Sequence, residues 1–176
     1  MEPVRFQNEV DRREAVAIDR LISIRTLQEA YKTQNRRFLS TTDSLIDFYK
    51  NGKITIVKQI GSMDDSLAVA QGKVSRENID ILVRDTLLKG YKEPVDSLNF
   101  IPFSGGKRIQ MHSVVRQVSG IDIPLFEALM PYDDLLNGLD RQSIVNLKAE
   151  NEDMKRYPGL KVGDIDNPNN NAGNWE

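Results

Sequence analysis

A short run near the C-terminus, "DIDNPNNN", gathers hard oxygen donors: Asp164, Asp166, Asn167, Asn169, Asn170 and Asn171. Calcium takes several such ligands from a flexible loop. Asp164, Asp166 and Asn169 therefore form a candidate calcium site, and no other cofactor is expected. Pro168 and the placement of glycine break the EF-hand pattern. The plainer reading of an Asn-rich tail is a disordered segment.

Other residues offer weaker chemistry. His112, in "IQMHSVV", is the sole histidine. As a general base it would need an orienting carboxylate and a nucleophile, and on an alternating strand it reads as a surface or half-buried hairpin residue. "SGGK", Ser104 to Lys107, has the residue types of a phosphate cradle but not the P-loop spacing, and reads as a turn. The paired acids Asp64 with Asp65 and Asp133 with Asp134 could serve glycoside-type hydrolysis only if they converged on one cleft. Adjacent acids more commonly begin helices. No catalytic residues are assigned, and the chain reads as a non-enzyme.

Composition narrows the classes further. The chain has 176 residues and a net charge of −2. That charge sets up no long-range field toward a phosphate backbone, so nucleic acid is not an expected partner. The absence of cysteine excludes disulfides, thiolate nucleophiles and cysteine-ligated zinc. No apolar run reaches the ~20 residues of a membrane span. The opening "MEPVRFQNEVDRREA" starts with charges already at helical spacing, as if an apolar segment preceded Glu2.

These residues need a scaffold, and its first element is the clearest. Ile18, Leu21, Ile24, Leu27 and Tyr31 recur at helical steps, with Arg13, Arg20, Glu29 and Lys32 on the other side. A helix from Pro3 to Gln34 would exceed the width of the domain, so its N-terminal part is expected to project. Asn35 is the expected stop. "STTDSLIDFYKNG" predicts a second helix, capped by Thr41 or Thr42. Strands are predicted at "KITIVKQIG", Ile79–Val83, "SGIDIPLFEALM" (with Pro124 marking an edge), "IVNLKA" and "YPGLKVGDI". A hairpin is expected around Ser104-Gly105-Gly106, with Leu98–Phe103 and Arg108–Val115 as its arms. "PYDDLLNG" predicts one or two helical turns. The last residues carry no core pattern except Trp175.

Two places resemble a known family. "IRTLQEAYKTQNRRFLSTTDSL", Ile24 to Leu45, resembles the end of the long N-terminal helix in type IV pilins and type II secretion pseudopilins. Its Tyr31, Asn35, Phe38, Thr41 and Thr42 match the tyrosine, the Asn-containing exit and the aromatic-then-Thr loop. "AGNWE", Ala172 to Glu176, resembles the last residues of the major pseudopilins. Just before it, those proteins carry an acidic glycine-rich loop that binds calcium, and this chain has "DNPNNN". The whole chain also resembles single-span envelope proteins without an assigned role.

The resemblance implies a membrane helix preceding Glu2 and a location on the extracytoplasmic side of the cell envelope. It also implies a structural or assembly role with self-assembly or protein partners. Arg12, Arg13 and Glu14, beside Glu9 and Asp11, would then form pairs between subunits. The alternative is an envelope binding module on the same anchor. The expected architecture is α+β and pilin-like: a stem helix at residues 1–34, a globular domain at 35–166 with the helix packed on an antiparallel sheet, and a polar tail at 167–176.

Overall fold

The computed structural model describes residues 2–60 and 75–176. The chain is α+β, with a long N-terminal helix and antiparallel sheets. Helix α1 spans Pro3–Asn35. Its buried face carries Ala17, Leu21, Ile24 and Leu27, the positions set by the helical period. Pro3 sits in the first turn, where its missing N–H breaks no helical bond. Arg36 ends the helix in the left-handed conformation (φ 60°) and donates its N–H to Lys32 O at 2.8 Å. The expected stop, Asn35, stays helical and bonds its own side chain back to Tyr31 O.

The N-terminal half of α1 does not stand clear of the domain, which corrects the projecting stem. Phe6 and Val10 are buried in the common core. Arg13 donates to Leu135 O and Asn137 O. Both Arg12 and Arg13 lie over the Phe103 ring, 4.9 Å from its centroid. The far side of the domain extends along the helix, so length alone gave no overhang.

Helix α2 spans Thr42–Asn51, capped by Thr41, whose hydroxyl accepts from Ser44 N at 3.1 Å. Phe48 meets Tyr31 of α1 edge to face at 5.3 Å. Strands β1 (Lys53–Ile60) and β2 (Ser75–Leu82) pair antiparallel as a separate two-stranded ribbon. Val83, expected at the end of β2, instead begins the short helix α3, Val83–Thr86.

Strands β3 (Gln110–Val118), β4 (Ile121–Pro131) and β5 (Gly159–Gly163) form a three-stranded antiparallel sheet in that order. The strong hairpin is β3–β4, turning at Ser119 and Gly120, both with positive φ. The hairpin expected around Ser104–Gly106 reduces to a single bridge, Phe100 to Arg108. Its first arm, Leu98–Phe103, begins inside a 3₁₀ turn at Val95–Asn99, because Pro94 and Asp96 open a turn rather than a strand. Pro124 lies in the half of β4 that β5 does not reach, since β5 pairs only with Glu127–Pro131. Phe126, Ala128 and Met130 of β4 are fully buried, and Phe38 packs on Phe126 at 4.8 Å.

Tyr132–Leu135 forms the short helix α4. "IVNLKA" is helical, not a strand: it lies within α5, Arg141–Asp153. Val145 and Leu147 alternate, but Asp140 decides the outcome as an N-cap. Its carboxylate accepts from Ser143 N at 3.0 Å and Ser143 Oγ at 2.7 Å. Ile144 and Leu147 then share the inner face while Val145 stays exposed. Replacing Asp140 with alanine is expected to lower the melting temperature by about 2–4 °C, with faster amide exchange confined to the start of α5.

The tail is not a separate segment. It turns back beside β5 through Gly163 N to Ala172 O and Asn174 N to Lys161 O, each 2.9 Å. Trp175 packs against the core, and Glu176 pairs with Arg25 of α1 at 2.7 Å.

Candidate functional site

The C-terminal loop brings the proposed calcium donors close together in sequence but gives them other partners. Asp164 Oδ1 accepts from the backbone N–H of Asp166 and Asn167, each at 2.8 Å, which shapes the turn. Its Oδ2 accepts from Lys161 Nζ at 3.0 Å. Lys161 also lies 3.4 Å from the buried carboxylate of Glu127. Partial burial works against the charge on Asp164, but the Asn167 N–H, Lys161 and the Asp166 N–H outweigh it, and its pKa falls. Asp166 pairs with Arg116 at 3.0 Å, and Asn169 donates to Ala172 O at 3.4 Å. A calcium ion at Asp164 and Asp166 would compete with Lys161 and Arg116 for these carboxylates. Among the described residues, no three His, Cys, Asp or Glu side chains cluster to hold a metal.

Beside this loop is an open cavity of about 300 Å³, lined among others by Tyr157, Lys161, Asp164, Asn169 and Asn174. Burial, then the charges of Asp134 and Glu127, push the Tyr157 hydroxyl up to about 12. It therefore stays protonated and is not a base at neutral pH.

Of the paired acids, Asp133 is engaged in ion pairs. Asp133 accepts from Lys148 at 2.7 Å and from Arg141 at 2.8 Å. These two cations hold its pKa below the ordinary range, so it carries no proton to donate at neutral pH. Asp64 and Asp65 lie outside the described residues. His112 is exposed on β3, opposite Glu127 in register. "SGGK" is a turn: Ser104 Oγ donates to Ile101 O at 2.6 Å and accepts from Lys107 N at 3.0 Å. Gly105 and Gly106 supply its positive φ.

The charges at the start of α1 are also engaged within the chain. Glu9 holds Arg12 and Arg13 at 2.6 and 3.0 Å. Glu14 accepts from Tyr132 Oη at 3.1 Å. Burial, with a smaller contribution from Asp11, raises the Glu14 pKa despite that hydrogen bond. The folded state thus holds the Glu14 proton more tightly than the unfolded chain. The corresponding stability is complete below the unfolded carboxyl range and is lost as pH rises through the folded value. Replacing Glu14 with glutamine keeps an acceptor for Tyr132 and removes the buried charge. We expect the variant to melt at or above the wild type at neutral pH, by less than about 1 kcal/mol after solvent screening. The difference should vanish in acid, as pH-dependent thermal melts would show.

Several polar contacts that organise the fold had no signal in the sequence. Gln28 is fully buried in α1 and bonds both the N–H and the C=O of Leu39, each at 2.8 Å. Arg20 grips Glu93 at 2.8 Å and Phe100 O at 2.6 Å. Tyr91 bonds Glu93 and Ser97 in the same cluster. Burial first, then its contacts with Glu93, push the Tyr91 hydroxyl up to about 12. Arg20 reaches partners more than seventy residues away, and the nearer contacts of Gln28 and Tyr91 follow no helix or strand period.

No family model, no curated protein and no solved structure matches this chain.

Proposed function

We propose that this chain is a non-enzymatic, extracytoplasmic assembly component of a pilus- or pseudopilus-like system, attached by a membrane helix preceding Glu2. The observation that carries this reading is the long α1 seated along an antiparallel sheet, with the C-terminal residues closed onto the helix through Arg25 and Glu176. A helix packed on an antiparallel sheet is the arrangement expected from the resemblance. The side-chain chemistry is compatible with this reading: Asp133, Lys161 and Asp164 are committed to ion pairs, and the Tyr157 hydroxyl stays protonated.

One observation favours a second reading, an envelope binding module on the same anchor that builds no fibre. Glu9, Arg12, Arg13 and Glu14 satisfy one another and the domain, so they are not poised for pairs between subunits. On either reading, contacts to partners fall to the strands rather than to the start of α1.

The test uses the native gene in its own cells. Fractionation should place the product in the membrane, with the domain digested by protease added outside the cytoplasm. A product found only in the soluble cytoplasmic fraction overturns both readings. Cross-linked ladders of increasing size favour the fibre component, and their absence favours the binding module.

A further inference from the structure

The edges of the three-stranded sheet are treated unequally. The outer side of β5 is covered by the returning tail, through Val162 and Gly173 and the Lys161–Asn174 contacts. The half of β4 beyond β5 contains Pro124, which has no N–H to offer. The Arg116 side chain also crosses this half to reach Ile165 O and Asp166. These are ordinary protections against unwanted strand pairing.

The outer side of β3 has neither. β3 ends the strand order, and among the described residues no backbone hydrogen bond reaches that side. Its pairing with β4 runs without a bulge from Gln110 to Val118. The stretch "SVVRQV" contains no proline, no lysine and no acid. Its one charge, Arg116, is drawn away toward Asp166. Val115 is 56% exposed and Val118 48%, and Ile121 across the turn is 66% exposed. A bulge-free, β-branched edge whose one charge is turned aside is a template for another strand.

We propose that a second copy of this chain occupies the edge, its β3 pairing antiparallel with this β3 about Val114 to make one continuous sheet across a two-fold axis. In that register Val114 meets Val114 of the second copy, Ser113 meets Val115, and Arg116 meets His112. No like charge faces its own kind, as it would if the axis passed through Arg116. A two-fold pairing needs one self-complementary patch, and this edge supplies it. An acidic partner strand gains little from Arg116, because Asp166 already neutralises it. The pairing deepens the assembly reading by naming one contact, but its geometry does not depend on the membrane anchor.

The test is sedimentation of the full chain over about a hundredfold range of concentration, with Val115→Lys and Val118→Lys as variants. Both positions are exposed, and unchanged circular dichroism would confirm their folds. If Val115→Lys fails to fold, Val118→Lys carries the comparison. The wild type is expected to show a monomer–dimer equilibrium that each lysine weakens at least about tenfold. Hydrogen exchange should show protection of residues 112–116 rising with concentration. A wild type that stays monomeric throughout overturns the proposal. So does a dimer that both lysine variants leave intact, or one whose protection maps to β1 and β2. None of these outcomes bears on membrane attachment, which fractionation reads separately.

Discussion

Replacing Gly163 with alanine is expected to be the most damaging single-methyl change in this chain, costing at least about 4 kcal/mol. Gly163 ends β5 with φ +74°, a conformation that disfavours any side chain. The added Cβ would also run into the carbonyl oxygen of Phe126 and sit 3.4 Å from Glu127 Cα. These are backbone atoms of the paired strand β4, so no side chain can swing aside. Relief requires β5 to part from β4, and Gly163 N also anchors the tail at Ala172 O. With total stability of about 5–15 kcal/mol, a loss of this size leaves a marginal protein. Thermal unfolding should fall by about 8–16 °C or more. Gly120→Ala is the control: its φ is +79°, but nothing lies within 4 Å of the added methyl. It should cost only about 1–2 kcal/mol. Equal melting temperatures for the two variants would contradict the close β4–β5 approach at Gly163.

Replacing Gln28 with leucine is expected to cost about 3 kcal/mol. Leucine keeps most of the volume and suits the apolar face of α1, so a hydrophobicity argument alone would predict a gain. The amide, however, binds the Leu39 backbone from both sides, and its Nε2 also lies 3.5 Å from Met111 Sδ. Leucine would leave the N–H and C=O of Leu39 without partners in a partly buried site. Glutamate would not rescue it, because a carboxylate cannot donate to Leu39 O. The melting temperature should drop by about 6–12 °C, and the Leu39 amide should exchange faster than its neighbours. A Gln28→Leu variant as stable as the wild type would show that the amide does not hold the α1–α2 connection.

Much of this fold was legible in the sequence for a local reason. The period of Leu21, Ile24 and Leu27 defined both α1 and its buried face. The Thr41 cap and Asn51-Gly52 bounded α2 closely, and a β-branched run marked β1. The failures arose where a local pattern met a competing local signal or a distant partner. Alternation at Val145 and Leu147 lost to the Asp140 cap. The tail looked free because its partners, Lys161 and Arg25, lie on other elements. The overhang expected for α1 disappeared because Phe103, Leu135 and Asn137 come to meet its first turns.

The candidate site was legible only as composition. The sequence showed that Asp164, Asp166 and Asn169 are oxygen donors, but not that Lys161 and Arg116 sit on two of them. The open β3 edge was hidden for the opposite reason. An edge is defined by what fails to pair with it, and strand order is a property of the whole sheet.

We propose that this chain assembles through its sheet and not through the first turns of α1. The chain has no cysteine, so single-cysteine variants report contacts without background. Val114→Cys and Val4→Cys place a thiol at the axis of the β3 pairing, where the two copies of residue 114 face each other, and at an exposed position on α1. With the native gene in its own cells, mild oxidation should give a single dimer band for Val114→Cys and none for Val4→Cys. A ladder through Val4→Cys with no product at Val114→Cys would contradict it.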